Sequence, residues 1–303
     1  MRVLCVGGGA SKGAFLGGEY QALLESGIKW DSYVGCSTGS LITALAPLNG
    51  PELLKTAYTS VNTKSIFPKV NPFRKNGKLK IANTIWRIIT GRKSLGEADG
   101  LITLLAKYLT LTDYYNIRHE NTISYSTVTN MTNGKTEYFD NNTLPYDEYL
   151  KSVVASCSVP LVFEPIEING SVYLDGGVRE GIPIQKAIDI GATEIDVLIS
   201  RPEKYPKEEW EDKNCLNIAE RTVTLLMREG SAADTEIGHL MAKDRNVKIH
   251  FYYTPRVLTN NSLSFDKAQM KAWWKEGYDL VKNGKPKSYL LNTDSELKLQ
   301  KPD

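Results

Sequence analysis

The sequence predicts one α/β domain across residues 1–303, built on a central, mostly parallel sheet, and three features carry that expectation. The chain opens as strand, glycine-rich loop, helix, strand. A G-x-S-x-G pentapeptide, Gly35-Cys36-Ser37-Thr38-Gly39, follows that unit. Strand and helix patterns then alternate along the chain, with no linker or repeat between them.

The elements follow in order. Arg2-Val3-Leu4-Cys5-Val6 is a short apolar run suited to a central strand. Gly7-Gly8-Gly9-Ala10-Ser11-Lys12-Gly13 is a loop, and Ala14 to Leu24 has the apolar face of a helix that Gly27 stops. Trp30 to Val34 reads as the second strand, and Ser40 to Ala46 as the start of a buried helix. A right-handed crossover between two parallel strands brings both of their loops to one edge of the sheet. Gly91 to Gly100 is turn-rich, and Leu101 to Leu109 is helical. Thr122 to Thr129 and Lys135 to Phe139 are strands joined through Asn133-Gly134, a strong hairpin signal. A second hairpin joins Ile166 to Ile168 with Ser171 to Leu174 through Asn169-Gly170, and its end delivers Asp175 to the sheet edge. Glu194 to Ser200 is a strand, Glu203 to Asp212 a charged surface loop, Leu216 to Lys243 a long helix and Val247 to Tyr252 an alternating run. Phe265 to Tyr278 is a last helix, and the Asp294 to Asp303 tail is expected to be ordered only in part.

The pentapeptide has a chemical logic. A nucleophilic serine sits on a sharp strand-to-helix turn that exposes its hydroxyl, and small residues two places either side let strand and helix pass closely. Gly35 and Gly39 fill those places. Ser37 then lies at a helix N-terminus, where the dipole favours a developing alkoxide. Open amides of the upstream glycine loop would face it, as an oxyanion requires. A phosphate-binding loop is the rival reading of these glycines, and spacing argues against it. From Gly7 the sixth position of G-x-G-x-x-G is Lys12, from Gly8 the third is Ala10, and Lys12 precedes Gly13 where a P-loop needs Gly before Lys.

These residues resemble the patatin-like phospholipases, the serine-aspartate lipid acyl hydrolases. The resemblance rests on the GGGASKG loop, the helix ending Leu23-Leu24-Glu25-Ser26-Gly27, the GCSTG elbow, Ala155-Ser156-Cys157-Ser158-Val159-Pro160 through Phe163-Glu164-Pro165, and Tyr173-Leu174-Asp175-Gly176-Gly177 followed by Pro183. It implies a three-layer α/β/α sandwich with a nucleophile elbow. Ser37 matches the family nucleophile, Asp175 its catalytic partner, Gly176 and Gly177 the rest of the Asp-Gly-Gly motif, and Gly8, Gly9, Lys12 and Gly13 the oxyanion-hole loop. Lys12 would either neutralise a lipid phosphate or order the loop. The implied substrate is a lipid ester, with no metal or cofactor expected. Departures from the usual wording are Cys36 for Thr, Thr38 for Ala, and Glu180-Gly181 where Asp-Asn is frequent before the proline. An acyltransferase or general esterase on the same site, and a membrane-binding protein that keeps only the fold, remain alternatives.

A Ser-Asp-His triad is formally open, because the chain carries His119, His239 and His250. His239 falls in the long helical pattern and His250 in an alternating strand, so each is more simply structural, and a Ser37–Asp175 dyad is the expectation.

Composition sets outer bounds. A formal net charge of +2 gives no nucleic-acid signature, and four irregularly spaced cysteines form no disulfide framework, which points to a reducing, cytoplasmic setting. No apolar run approaches the ~20 residues of a membrane span, and the short run before the glycine loop leaves no room for a secretory signal. One segment is uneven. Residues 64–93 hold nine basic side chains (Lys64, Lys69, Arg74, Lys75, Lys78, Lys80, Arg87, Arg92 and Lys93) and no Asp or Glu, interleaved with apolar residues including Trp86 and Ile89. Such a stretch serves either as a solvated lid or as a peripheral contact with an anionic membrane surface.

Overall fold

The computed structural model describes residues 1–69, 72, 80, 84, 86, 87, 89–207, 215–284 and 287–289. Arg74, Lys75 and Lys78 of the basic segment, positions 208–212 of the charged loop and the 294–303 tail lie outside the described residues.

The strands are β1 (Arg2–Val6), β2 (Ser32–Cys36), β3 (Ile123–Asn130), β4 (Thr136–Asp140), β5 (Ile166–Ile168), β6 (Ser171–Asp175), β7 (Glu194–Ile199), β8 (Lys248–Tyr253) and β9 (Lys287–Tyr289). They make one sheet in the order β5-β6-β3-β2-β1-β7-β8-β9, with β4 also paired to β3. β1, β2, β3, β7 and β8 run parallel, whereas the pairs β3–β4, β3–β6, β5–β6 and β8–β9 are antiparallel. Both predicted hairpins form. The second turns through Asn169 and Gly170, each at positive φ (50° and 77°), the pairing that a two-residue type I′ connection needs.

The helices are α1 (Gly13–Glu25), α2 (Thr38–Leu45), α3 (Pro51–Thr59), α4 (Thr63–Ile66), α5 (Asp99–Tyr108), α6 (Leu111–His119), α7 (Tyr146–Ser156), α8 (Ile184–Asp189), α9 (Cys215–Arg245) and α10 (Lys267–Asn283). Alternation along the parallel strands explains the layering, since successive side chains point to opposite faces. Leu4 and Val6 of β1 pack into one core with residues of α1, α2, α7 and α10. Val3 and Cys5 pack into a second core with Ile184, Ala187 and Ile188 of α8 and Ala242 of α9. The result is a three-layer α/β/α sandwich. Among the described residues no helix is long and apolar enough to cross a membrane.

α1 and α10 approach closely because glycines stand at the crossing. A Cβ on Gly18 would lie 2.0 Å from the Trp274 carbonyl oxygen, and one on Gly277 would lie 2.2 Å from that of Phe15. The buried Trp274 then donates its indole N–H to Gln21 Oε1 at 2.7 Å.

One strand differs from its expected bounds. β2 covers Ser32–Cys36, two residues later than the Trp30 to Val34 reading, because Gly35 pairs with Val6 and Ser126 inside the sheet and is not yet in the turn. The shift has a geometric consequence at β3. β2 pairs with β3 as far as Cys36 opposite Thr127, and β6 then takes over the same edge with Asp175 opposite Val128. The end of β2 and the end of β6 therefore meet head to head.

Candidate active site

Ser37 follows β2 directly and caps α2. Its backbone is at φ 54°, ψ −126°, a conformation that costs a non-glycine residue of order 1–3 kcal/mol. Surrounding bonds hold it there: the Ser37 N–H donates to Ser156 Oγ at 2.9 Å, and the Ser40 N–H donates to the Ser37 carbonyl at 2.8 Å. Ser156 is fully buried and donates in turn to the Thr127 carbonyl at 2.5 Å. The two elbow glycines are required by space. A Cβ on Gly39 would lie 2.0 Å from the Val6 carbonyl oxygen, and one on Gly35 would lie 2.5 Å from Gly39.

Asp175 ends β6. Its N–H donates to the Ser158 carbonyl at 3.1 Å, and Thr129 Oγ1 donates to its carbonyl at 3.0 Å, so the main chain is pinned from two elements. The side chain is then aimed. Ser37 Oγ donates to Oδ2 at 2.8 Å, while the Gly177 N–H donates to Oδ1, also at 2.8 Å. Complete burial raises the carboxyl pKa to about 7, and these two hydrogen bonds hold it back from a larger rise. Cys36 Sγ lies 4.0 Å from Oδ1, and burial beside that carboxylate keeps the thiol protonated, with its pKa well above the ordinary value.

The glycine loop faces Ser37, though not through all the amides expected of it. A Cβ on Gly8 would lie 3.2 Å from Ser37 Cβ, so glycine is needed for the loop to approach. The Gly8 N–H, however, donates to the Gly181 carbonyl at 3.1 Å, the Lys12 N–H to the Gly9 carbonyl at 3.1 Å, and the Gly13 N–H to the Ala10 and Ser11 carbonyls. Those three amides are occupied by the loop's own folding. Among the described residues the Gly9 and Ala10 N–H groups meet no acceptor, and Ala10 is turned to φ 49°. The loop's open donors are thus Gly9 and Ala10.

Two cavities meet at Ser37. The larger, about 320 Å³, is lined by Gly8, Gly9, Lys12 and Asp175 together with Arg201 and Arg228. The smaller, about 80 Å³, is lined chiefly by apolar side chains such as Leu41, Leu45, Val61, Leu105, Phe163 and Met270. Both include Ala10 and Ser37.

With this geometry in place, comparison with known proteins gives one decisive result: the model of the patatin-like phospholipase family matches residues 4–188. The chain belongs to that family. It is 27% identical over 194 residues to the probable lipid hydrolase 463L of Invertebrate iridescent virus 6, a match covering 62% of this chain and 63% of the viral protein. The matched region therefore spans less than two thirds of that relative. Among solved structures, VipD of Legionella pneumophila superposes with a TM-score of 0.50 at 17% identity, over 95% of this chain and 67% of VipD. ExoU of Pseudomonas aeruginosa, solved with SpcU, gives a TM-score of 0.38 at 15% identity over 81% of this chain and 52% of the other. The likeness to VipD concerns the fold, and the patatin-like fold is the three-layer sandwich described above.

The histidines stand apart from Ser37 and Asp175. His250, on β8, has Nε2 2.7 Å from Glu194 Oε1, and its register opposite Asp196 sets it back from the end of the sheet where Ser37 lies. His239 is half-buried on α9, its pKa lowered by burial and by Lys243, and His119 is exposed at the end of α6. None of the three lines either cavity.

The basic segment is only partly a solvated face. Arg87, Arg92 and Lys93 line the larger cavity, and the buried Arg87 donates from Nε to the Ser94 carbonyl at 2.7 Å. Lys69 is paired, 3.0 Å from Glu97 and 2.8 Å from Asp99. The end of the segment is stitched to the loop before β5 by the Leu95 and Gly96 N–H groups, which donate to the Leu161 and Val162 carbonyls at 2.8 Å each. Trp86 is 56% exposed and Ile89 77% exposed, so this part of the segment does present apolar surface to solvent.

Several site residues carry no sequence signal of a role. Ser156 lies in a stretch that marked the family, yet nothing in the wording says that its hydroxyl supports the elbow. Arg201 directly follows the Ser200 that ends the β7 reading, and the C-terminal ends of parallel strands are where ligands bind in open α/β sheets, so its place was open to inference. Arg228 on the long α9 offered no such cue.

Proposed function

We propose that this chain is a lipid acyl hydrolase that cleaves fatty-acyl esters through a Ser37 acyl-enzyme. The observation that carries the reading is the 2.8 Å hydrogen bond from Ser37 Oγ to the buried Asp175 carboxylate, at a strained elbow open to two cavities. In the first half-reaction the Asp175 carboxylate accepts the Ser37 proton while Oγ attacks the ester carbonyl carbon. The Gly9 and Ala10 N–H groups then face the oxygen on which negative charge develops, and one such donor is typically worth about 10²–10³ in turnover. Collapse breaks the bond to the leaving alkoxide, which takes the proton back from Asp175. Water deprotonated by Asp175 attacks the acyl-enzyme in the second half, releasing the fatty acid and restoring the Ser37 hydroxyl. The half-reactions balance without a third catalytic side chain.

The apolar cavity suits an acyl chain, and the basic, cavity-lining segment with its exposed Trp86 and Ile89 suits peripheral contact with an anionic membrane surface. Family membership supports the lipid substrate class. The test is a fluorophosphonate probe followed by peptide mapping. Label is expected on Ser37, and Ser37→Ala is expected to lose both the label and ester hydrolysis while keeping its circular dichroism. Labelling of a different serine would overturn the assignment.

A further inference from the structure

The two cavities that meet at Ser37 are divided by very few side chains. Among the described residues four line both: Ala10, Ser37, Val159 and Leu263. Ser37 is the proposed nucleophile and Ala10 carries an open amide, so Val159 and Leu263 are the remaining, apolar pair at the neck between the cavities. Val159 follows α7. Leu263 comes from far along the chain, between β8 and α10, and lies beyond the residues 4–188 that the family model matches.

The backbone that carries this neck is fixed. The Ser262 carbonyl accepts the Ser11 N–H at 3.0 Å and the Ser11 hydroxyl at 2.7 Å, so the residue before Leu263 is bonded to the residue after Ala10. The Leu263 N–H donates to Asn261 Oδ1 at 3.2 Å, and the Phe265 N–H to Thr63 Oγ1 at 3.2 Å. Leu263 is half-buried against the main core, and Phe265 lines the apolar cavity. Val159 is held as firmly. Its N–H donates to the Cys157 carbonyl at 2.9 Å, and its carbonyl accepts the Val162 and Phe163 N–H groups at 3.1 Å each. Branching at Cβ restricts χ1, so the valine gives the neck a stiff edge. Leu263 is tied to the loop that carries the open Gly9 and Ala10 amides, and the width of the neck and the place of those donors are therefore set together.

We infer that Leu263, with Val159, determines which acyl groups react: it admits straight chains to the apolar cavity and rejects those branched beside the carbonyl. The inference rests on the acyl-hydrolase reading and concerns the acyl side of the same site. An ester whose carbonyl carbon lies at Ser37, with its chain in the apolar cavity, has its first chain carbons at the neck, because Ser37 is itself a neck residue. A methylene chain is narrow. Methyl groups on the carbon beside the carbonyl widen it where the walls can least yield, since a backbone bonded on both sides leaves overpacking to be relieved only by strain.

The experiment has a turnover arm and a binding arm. In the first, p-nitrophenyl butyrate is compared with p-nitrophenyl 2,2-dimethylbutyrate, which share a leaving group and a chain length. Each rate is divided by that of alkaline hydrolysis of the same ester, which removes the difference in intrinsic reactivity. The wild type is expected to favour the straight ester by about 10² in kcat/KM, and Leu263→Ala to lower that ratio about tenfold. Leu263→Phe should raise it. Val159 is half-buried too, so Val159→Ala, expected to lower the ratio in the same way, keeps the test open should Leu263→Ala fail to fold. A merely structural role for Leu263 would slow both esters alike, and a ratio unaltered in both alanine variants would overturn the assignment. The second arm needs no turnover. Thermal unfolding of the Ser37→Ala protein is followed with 2-octanone and 3,3-dimethyl-2-octanone, neutral ketones that present the same carbonyl and chain. The straight ketone is expected to raise the Tm and the branched one to do so only once Leu263→Ala is added. Equal shifts from the two ketones, or none from either, would overturn the neck as well. If the wild type cleaves neither ester while the choice between ketones still follows Leu263, the hydrolase reading fails and the neck stands.

Discussion

At the scale of the residue, the proposed role of Asp175 would set activity and stability against each other. Its pKa is raised to about 7 by burial, so between the ordinary carboxyl value of 3.8 and about 7 the folded protein holds a proton that the unfolded chain has released. A raised carboxyl pKa makes stability fall as pH rises through that window, and the whole cost is present above about 7. A shift of roughly three units corresponds to about 4 kcal/mol as an upper bound. Asp175→Asn removes the ionisation. The amide oxygen can keep the Gly177 N–H while its Nδ2 faces Ser37 Oγ, so the shape survives. The variant should lose about 10² or more in turnover, and yet unfold at higher temperature than the parent at pH 8. Near pH 3.5 the two should melt together, as differential calorimetry across pH will register. In the wild type, kcat/KM on a neutral ester is expected to rise about tenfold per pH unit below about 7 and then level off. Ser37 and Asp175 were legible in the sequence because an elbow and an Asp-Gly-Gly are fixed in wording by their backbone geometry. The support from Ser156 was not, because a hydroxyl that acts across 119 residues of chain leaves no local pattern.

At the scale of the element, the long α9 is tied to the glycine loop through Asp234. Asp234 accepts the Gly181 and Ile182 N–H groups, and the Gly181 carbonyl accepts the Gly8 N–H, so α9 fixes the glycine loop through the turn before α8. Asp234→Ala should leave two buried amides without an acceptor, lowering stability by about 1–3 kcal/mol and kcat by about tenfold, with KM little changed. Asp234→Asn, which restores one acceptor, should recover most of kcat. A merely structural role for Asp234 would give Asp234→Ala the expected loss of stability with kcat unaltered. Most elements were readable from periodicity and turn residues, and both hairpins were announced by Asn-Gly. The boundary of β2 was not. Gly35 has the residue type of a turn but the pairing of a strand, and only the closeness of α2 to β1 explains why a glycine stands inside the sheet.

At the scale of the whole molecule, the sandwich puts both loops of the first crossover, the end of β6 and the end of β7 at one edge, and Arg87, Arg92 and Lys93 of the basic segment line the cavity there. Among the described residues of the segment these three cations line the cavity, while the apolar Trp86 and Ile89 face outward. The sequence showed the excess of charge, but which charges turn inward depends on the Leu95 and Gly96 pairing with the loop before β5, which no local pattern encodes. If the outward part carries the protein onto a bilayer, sedimentation with anionic vesicles will exceed that with neutral ones. It will weaken as salt rises, because exposed charges are screened within about 8 Å at physiological ionic strength. Each basic residue near such a surface contributes about 1 kcal/mol, so exchanging Lys75, Lys78 and Lys80 for Gln should weaken binding by at least about tenfold. Trp86→Ala should weaken it further where the indole enters the interface, with no change in salt dependence, since no charge is removed. Hydrolysis of a small soluble ester should be spared in both variants, because neither alters Ser37, Asp175 or the glycine loop. Equal vesicle binding by the Gln variant and the parent would make the segment a lid over the cavity, with the membrane contact to be sought on another face.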